Sequence, residues 1–159
     1  MQVSEVILLG LYPTALCAAI GSDLARRIIP NLVVLILLAG FAALLFLMPL
    51  PDLSLRLLVA GAVTALGFSL FAENLIGAGD AKLAGAVMLW VDPLQVPAFL
   101  AASGILCGLL TLAAAAERRQ MRARSAFGIL AHSQSLPYGV ALAGAGLLLH
   151  PFSSLLQAA

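Results

Sequence analysis

The sequence predicts an all-α, polytopic integral membrane protein with about six transmembrane helices. Three observations carry that reading. Hydrophobic residues make up 63% of the 159 and charged residues 9%, with a mean hydropathy of +1.12, a balance that polar surface could not cover in water. The apolar residues fall into runs separated by short stretches bearing proline, glycine or charge. At about 20 apolar residues per crossing, fewer where a segment is sheltered by protein, the length allows roughly five to seven spans and leaves no room for a separate soluble domain.

The first run covers about residues 3–21 and stops at "SDLARRIIPN", where Pro30 and Asn31 punctuate a short polar loop. Its opening, "MQVSEVILLGLYPTALCAAIGSD", carries Glu5 as the only charge ahead of Asp23 and lacks the basic start of a cleavable signal, so it reads as a retained first span. The second run, about Leu32 to Leu50, ends at the proline-rich turn "MPLPD". A third goes from about Leu55 to Phe71 and gives way to "AENLIGAGD". The fourth, about Ala81 to Val91, closes at "DP", and the fifth spans about Leu94 to Ala116. The sustained polar stretch "ERRQMRARSAFGILAHSQS" follows, and a last run from about Leu136 to Leu149 finishes near "HP". Because the fourth and sixth runs are shorter than a full span, their ends are expected to pack against protein rather than bulk lipid.

Basic residues orient the chain. Arg26 and Arg27 follow the first helix, Lys82 the third, and Arg118, Arg119, Arg122 and Arg124 the fifth, while Arg56 falls on the other side. By the positive-inside rule those three loops are cytoplasmic and both termini lie outside. Asp23 and Asp80 then share one membrane face, although they belong to different helices.

Ionisable side chains at membrane depth are costly unless paired or solvated, so each is a functional candidate. Glu5, Asp52 and Glu117 fall at interfaces or in loops, and Asp92, before Pro93, reads as an outer turn or cap residue. Glu73 has an interfacial or capping role, close enough to Asp80 to influence it. Asp80 stands at the mouth of a helix that opens with "GAGD". There Gly77 and Gly79 permit backbone conformations and close approach, and the helix N-terminus favours an anion. An ordinary N-cap aspartate is the bland alternative. For Asp23 the bland alternative is a helix-end carboxylate paired with Arg26 or Arg27. Two carboxylates facing one cleft, however, suit peptide hydrolysis. Placed close together in a low-dielectric site they cannot both ionise, so one acts as base toward water and the other, protonated, polarises the scissile carbonyl. Rival sets are missing. Serine and cysteine candidates lack a histidine base, since His132 is in the polar loop and His150 near the far terminus, Cys17 and Cys107 read as buried thiols, and no spacing suggests a metal or a cofactor.

Together, "DLARRIIPN" (Asp23 to Asn31), "GAGDAKL" (Gly77 to Leu83) and "LPYG" (Leu136 to Gly139) resemble the signature stretches of type IV prepilin peptidases, the bacterial GxGD aspartyl membrane proteases. The resemblance covers nearly the whole chain, as a single transmembrane peptidase domain over residues 1–159. It implies that Asp23 and Asp80 are the catalytic pair. It also implies a hydrolase of pilus biogenesis in the inner (cytoplasmic) membrane, removing a short basic leader from prepilins and pseudopilins at the cytoplasmic face. Larger members carry a cysteine-bearing cytosolic insertion near the N-terminus and also N-methylate the new amino terminus. Here the second helix follows the first loop directly, which resembles the small form associated with tight-adherence (Flp) pili. Within the motifs, Lys82 either acts on Asp80 or a substrate carboxylate, or snorkels to the headgroups. Arg26 and Arg27 read as topology anchors, and Pro137, Tyr138 and Gly139 as supports that open the sixth helix. The expected partners are prepilin precursors and membrane lipid, with no nucleic acid. A different class, a small proton-coupled transporter or pilus-assembly subunit relaying protons through Asp23 and Asp80, would also place carboxylates in the membrane. No convincing internal repeat accompanies it.

Overall fold

A computed structural model describes residues 2–124 and 138–158, and over these the chain is helical throughout, without a strand. Six principal helices follow the apolar runs: α1 (Val3–Arg26), α2 (Asn31–Leu47), α3 (Leu53–Ala72), α4 (Ala78–Met88), α5 (Val96–Arg124) and α6 (Tyr138–Leu149). A 3-10 turn (His150–Phe152) and a short α7 (Ser154–Ala158) close the described chain. The helices α1, α3 and the apolar part of α5 are long enough to cross a bilayer, and α2 and α6 are shorter apolar helices.

Two helices overrun the apolar runs that announce them. The first continues through Asp23 to Arg26, where Arg27 turns into the left-handed region at φ 55° and donates its N–H to the Asp23 carbonyl at 2.9 Å. Helix α5 continues to Arg124, because Glu, Arg, Gln, Met and Ala are all good helix formers even where no lipid holds them. Within α1, Pro13 lacks an N–H and crowds the carbonyl one turn back. The preceding residues Ile7–Leu11 widen into a π-turn, in which Tyr12 N–H reaches Ile7 O.

Helix α4 is the centre of the bundle. Its 11 residues are buried from Leu83 to Met88, and burial continues through Leu89, Trp90 and Val91 as it packs on α3, α6 and α2. That is why it can be short: its ends meet protein. Lipid offers no hydrophobic drive for helices to associate, so close backbone approach must supply the contact. A Cβ on Gly67 would stand 3.0 Å from the Ala81 Cβ, and one on Gly85 would run into Thr64 Oγ1, which lets α3 lie directly on α4. The far end of α4 carries an aromatic cluster in which Tyr12 stacks on Trp90 with ring centres 4.7 Å apart and Phe41 meets the same indole edge-on. At that end Arg56, 1% exposed, pairs with Asp92 and donates to the carbonyls of Pro51, Leu89 and Val91. Asp92 in turn accepts the N–H and hydroxyl of Ser154, tying α3, α4 and α7 together.

Candidate active site

The opposite, N-terminal end of α4 opens into a cleft of about 450 Å³. Both Asp23 and Asp80 line it, with Arg27, Ile28 and Ile29 from the α1–α2 turn, residues 74–79 from the α3–α4 turn, and Tyr138 from the start of α6. Three chain segments remote in sequence thus meet around two carboxylates.

Asp23 belongs to the last turn of α1 and is only 5% exposed. Its Oδ2 accepts the backbone N–H of Val140, third residue of α6, at 3.0 Å. That N–H is one of the donors a helix cannot satisfy internally, so the Asp23 carboxylate serves a helix other than its own. Asp23 is thus inside the protein rather than at its surface, with Arg27 in the lining of the same cleft.

Asp80 does not occupy the N-cap of α4. Gly77 is the N-cap residue and Asp80 the third helical one, whose Oδ2 accepts the Gly77 N–H at 3.1 Å. The two aspartates share a device: each has one oxygen tied to an orphan N–H at a helix N-terminus, Asp80 at α4 and Asp23 at α6. Asp80 stands ahead of the apolar run of α4 and belongs to none of the three helices long and apolar enough to cross a bilayer. Burial pushes its carboxyl up to about 6, against the opposing pull of the Gly77 N–H, and the Asp23 carboxylate pushes in the same direction as burial. The two acids therefore sense each other.

The glycines around the acids contribute room rather than unusual backbone. Gly77 has ordinary dihedrals, φ −77° and ψ 150°, and among the described residues no glycine has a positive φ. A Cβ on Gly77 would lie 3.0 Å from Asp80 Oδ2, and one on Gly79 would lie 3.2 Å from the Ile29 Cβ. The left-handed positions at the site fall instead on Arg27 and on Asn74, φ 58°. Asn74 closes α3: its N–H reaches Phe71 O at 2.9 Å, and the Leu75 N–H reaches back to Leu70 O at 3.0 Å, the double bond pattern of a Schellman stop. This stop carries Leu75 and Ile76 into the wall of the cleft beside Ile28 and Ile29.

Several motif residues do other work. Lys82 does not line the cleft; its Nζ donates to Asn31 Oδ1 at 3.2 Å, linking α4 to the first residue of α2. Pro30 caps α2 with extended backbone, at φ −63° and ψ 137°. Glu73 is exposed at the C-cap of α3, away from the cleft lining. Tyr138 lines the cleft, Gly139 lies against Asp23, and Pro137 lies outside the described residues, as does His132. Sequence reasoning missed the buried Arg56–Asp92 pair. Asp92, an outer turn or cap residue by its sequence, is the N-cap of Pro93–Gln95, but no local signal links it to Arg56 on α3. Sequence reasoning also missed the Val140 N–H, which has no side-chain signature at all.

The family model for type IV leader peptidases matches residues 10–112. The chain belongs to the type IV leader peptidase family. The match spans both aspartates and the "GAGD" turn and ends before α6, so the leader peptidase resemblance does not by itself speak for Tyr138, Gly139 or Val140. Comparisons with curated proteins and with solved structures found no match.

Proposed function

We propose that this leader peptidase family member is an aspartyl endopeptidase of the bacterial inner membrane, cutting the short basic leader from Flp-like prepilins and pseudopilins at the cytoplasmic face. The observation that carries the reading is the placement of Asp23 and Asp80, from separate helices, in one cleft of a chain that matches this family.

The chemistry follows from the asymmetry of the two acids. In a singly protonated pair one aspartate is the acid and the other the base, and the upward push of burial on the Asp80 carboxyl favours Asp80 as the acid. Asp23 takes a proton from water as the water oxygen bonds to the scissile carbonyl carbon, and Asp80 gives its proton to the carbonyl oxygen. Collapse of the gem-diol breaks the C–N bond as Asp23 passes its proton to the leaving amine and one hydroxyl returns its proton to Asp80, restoring the starting pair. No metal or cofactor is required by this scheme.

The substrate class fits the surroundings. A basic leader stays cytosolic by the same rule that orients the enzyme, with both termini outside, and the apolar helix that follows the leader lies in the bilayer. The scissile bond then sits at the membrane boundary, beside the apolar Ile28, Leu75 and Ile76 and the two acids.

A gel-shift assay with a co-expressed Flp-type prepilin tests this reading. Wild type should yield the shortened pilin, and Asp23→Asn and Asp80→Asn should each leave the precursor intact at equal membrane levels. Full processing by either variant would exclude the mechanism.

A further inference from the structure

The start of α6 touches Asp23 through its backbone. The Val140 N–H donates to Asp23 Oδ2 at 3.0 Å, and the neighbouring Gly139 leaves no space: a Cβ there would lie 2.8 Å from the same Oδ2 and inside contact distance of the Ile29 Cδ1 at 2.6 Å. The bond joins residues 117 positions apart, between two helices that also pack against one another. Two independent features, a donor and an excluded volume, thus converge on one oxygen.

We propose that Gly139 and Val140 are positioning residues: the N-terminus of α6 clamps Oδ2 of Asp23, so that only Oδ1 is presented to the hydrolytic water. This rests on the peptidase reading above and adds to it a third element, outside the segment that matches the family model. Three observations support the assignment. A carboxylate has two equivalent oxygens and a soft terminal torsion, so without a fixed partner the ring of possible Oδ1 positions is wide. The N–H is an orphan of the first helical turn, so giving it to Asp23 costs α6 no internal bond. The Gly77 N–H holds Oδ2 of Asp80 in the same way.

The Tyr12, Trp90 and His150 cluster has no space for a water-sized guest. The exposed small residues of α5, Gly104 and Gly108 among them, have no neighbour that identifies an occupant.

The test separates backbone from side chain. Val140→Ala keeps the N–H, whereas Val140→Pro and an ester-linked replacement at position 140 remove it, at a place where the helix itself makes no use of it. In a purified assay on a leader-bearing peptide, Val140→Ala should keep kcat within about twofold. The Pro and ester variants should lose about ten- to a hundredfold in kcat with KM unchanged, the worth of a hydrogen bond to a charged group. Gly139→Ala should show the same split. A merely structural role would lower the yield of folded enzyme and leave the turnover of each folded molecule intact, so kcat is referred to folded protein measured by thermal melting. The ester variant keeps the side chain and the helix and decides the matter if proline disturbs folding.

Loss of kcat in Val140→Ala equal to that in the ester variant would overturn the clamp, as would full kcat in the ester variant. Asp23→Asn serves as the reference. If it is inactive while the ester variant is fully active, the inference fails and the peptidase reading stands. If Asp23→Asn itself cleaves, or wild type does not, the peptidase reading fails and takes the clamp with it.

Discussion

Substituting Asp92 by Asn probes the end of the molecule farthest from the cleft. Asp92 accepts from the Arg56 guanidinium and the Ser154 hydroxyl with Oδ1, and from the Ser154 N–H with Oδ2 at 2.6 Å. An asparagine cannot reproduce this in either orientation. One sets its NH2 against the Ser154 N–H, the other against Arg56, and both leave a guanidinium that is 1% exposed without a counter-charge. Removing one partner of a buried ion pair costs about 3–5 kcal/mol. Arg56 keeps the carbonyls of Pro51, Leu89 and Val91 and the hydroxyl of Ser154, which places the loss at the lower end, about 3 kcal/mol, or roughly a hundredfold in the ratio of folded to unfolded protein. Reversible unfolding in mixed detergent micelles reads this directly. The double variant Arg56→Met/Asp92→Asn should recover part of the loss, because no buried cation remains. Since the length of α4 beyond Asp80, about 12 Å, separates the pair from that acid, cleavage per folded molecule should stay within about twofold of wild type. A loss below about 1 kcal/mol, or a double variant less stable than the sum of the singles, would refute the reasoning.

Further outcomes concern the cleft. Asp80→Asn keeps an oxygen for the Gly77 N–H, whereas Asp80→Ala orphans it, so the alanine variant should melt below the asparagine one by the worth of a cap, about 1 kcal/mol, while both lose cleavage. The same pair gives a pH test. A carboxyl whose folded value is raised stabilises below the ordinary carboxylate range, and that contribution disappears as pH climbs through about 6. Wild type should therefore lose thermal stability relative to Asp80→Asn across that window, and a difference that does not vary with pH would contradict the burial of Asp80. Lys82→Gln leaves an amide able to reach Asn31 Oδ1 and should lower cleavage by less than about threefold, whereas Asp80→Asn abolishes it. A loss comparable to Asp80→Asn would return Lys82 to the catalytic machinery. Gly85→Leu, driven into Thr64 across the α3–α4 contact, should cost several kcal/mol by overpacking, read as loss of folded protein in the membrane.

How much of this was legible in advance depends on the range over which each feature is determined. The helices were legible because apolar runs, prolines and helix formers act locally. So was the placing of Asp23 and Asp80 on one cleft, because an ionisable group in an apolar chain is conspicuous and the positive-inside rule assigns both to one face. The short fourth run was legible as sheltered, and the structure shows it buried against three other helices.

What the sequence by itself determined, then, was an all-α membrane protein with two candidate carboxylates and the motifs around them. Only the tertiary structure decided what those motif residues touch. Gly77 and Gly79 matter for the space they leave, Lys82 reaches Asn31 rather than the cleft, and Arg56 meets Asp92 in the interior. The clearest case is the N–H of Val140, identical in composition to every other amide in the chain. It acquires its place beside Asp23 solely because α6 packs on α1, and packing between helices in lipid is set by shape and close approach, which no single segment encodes.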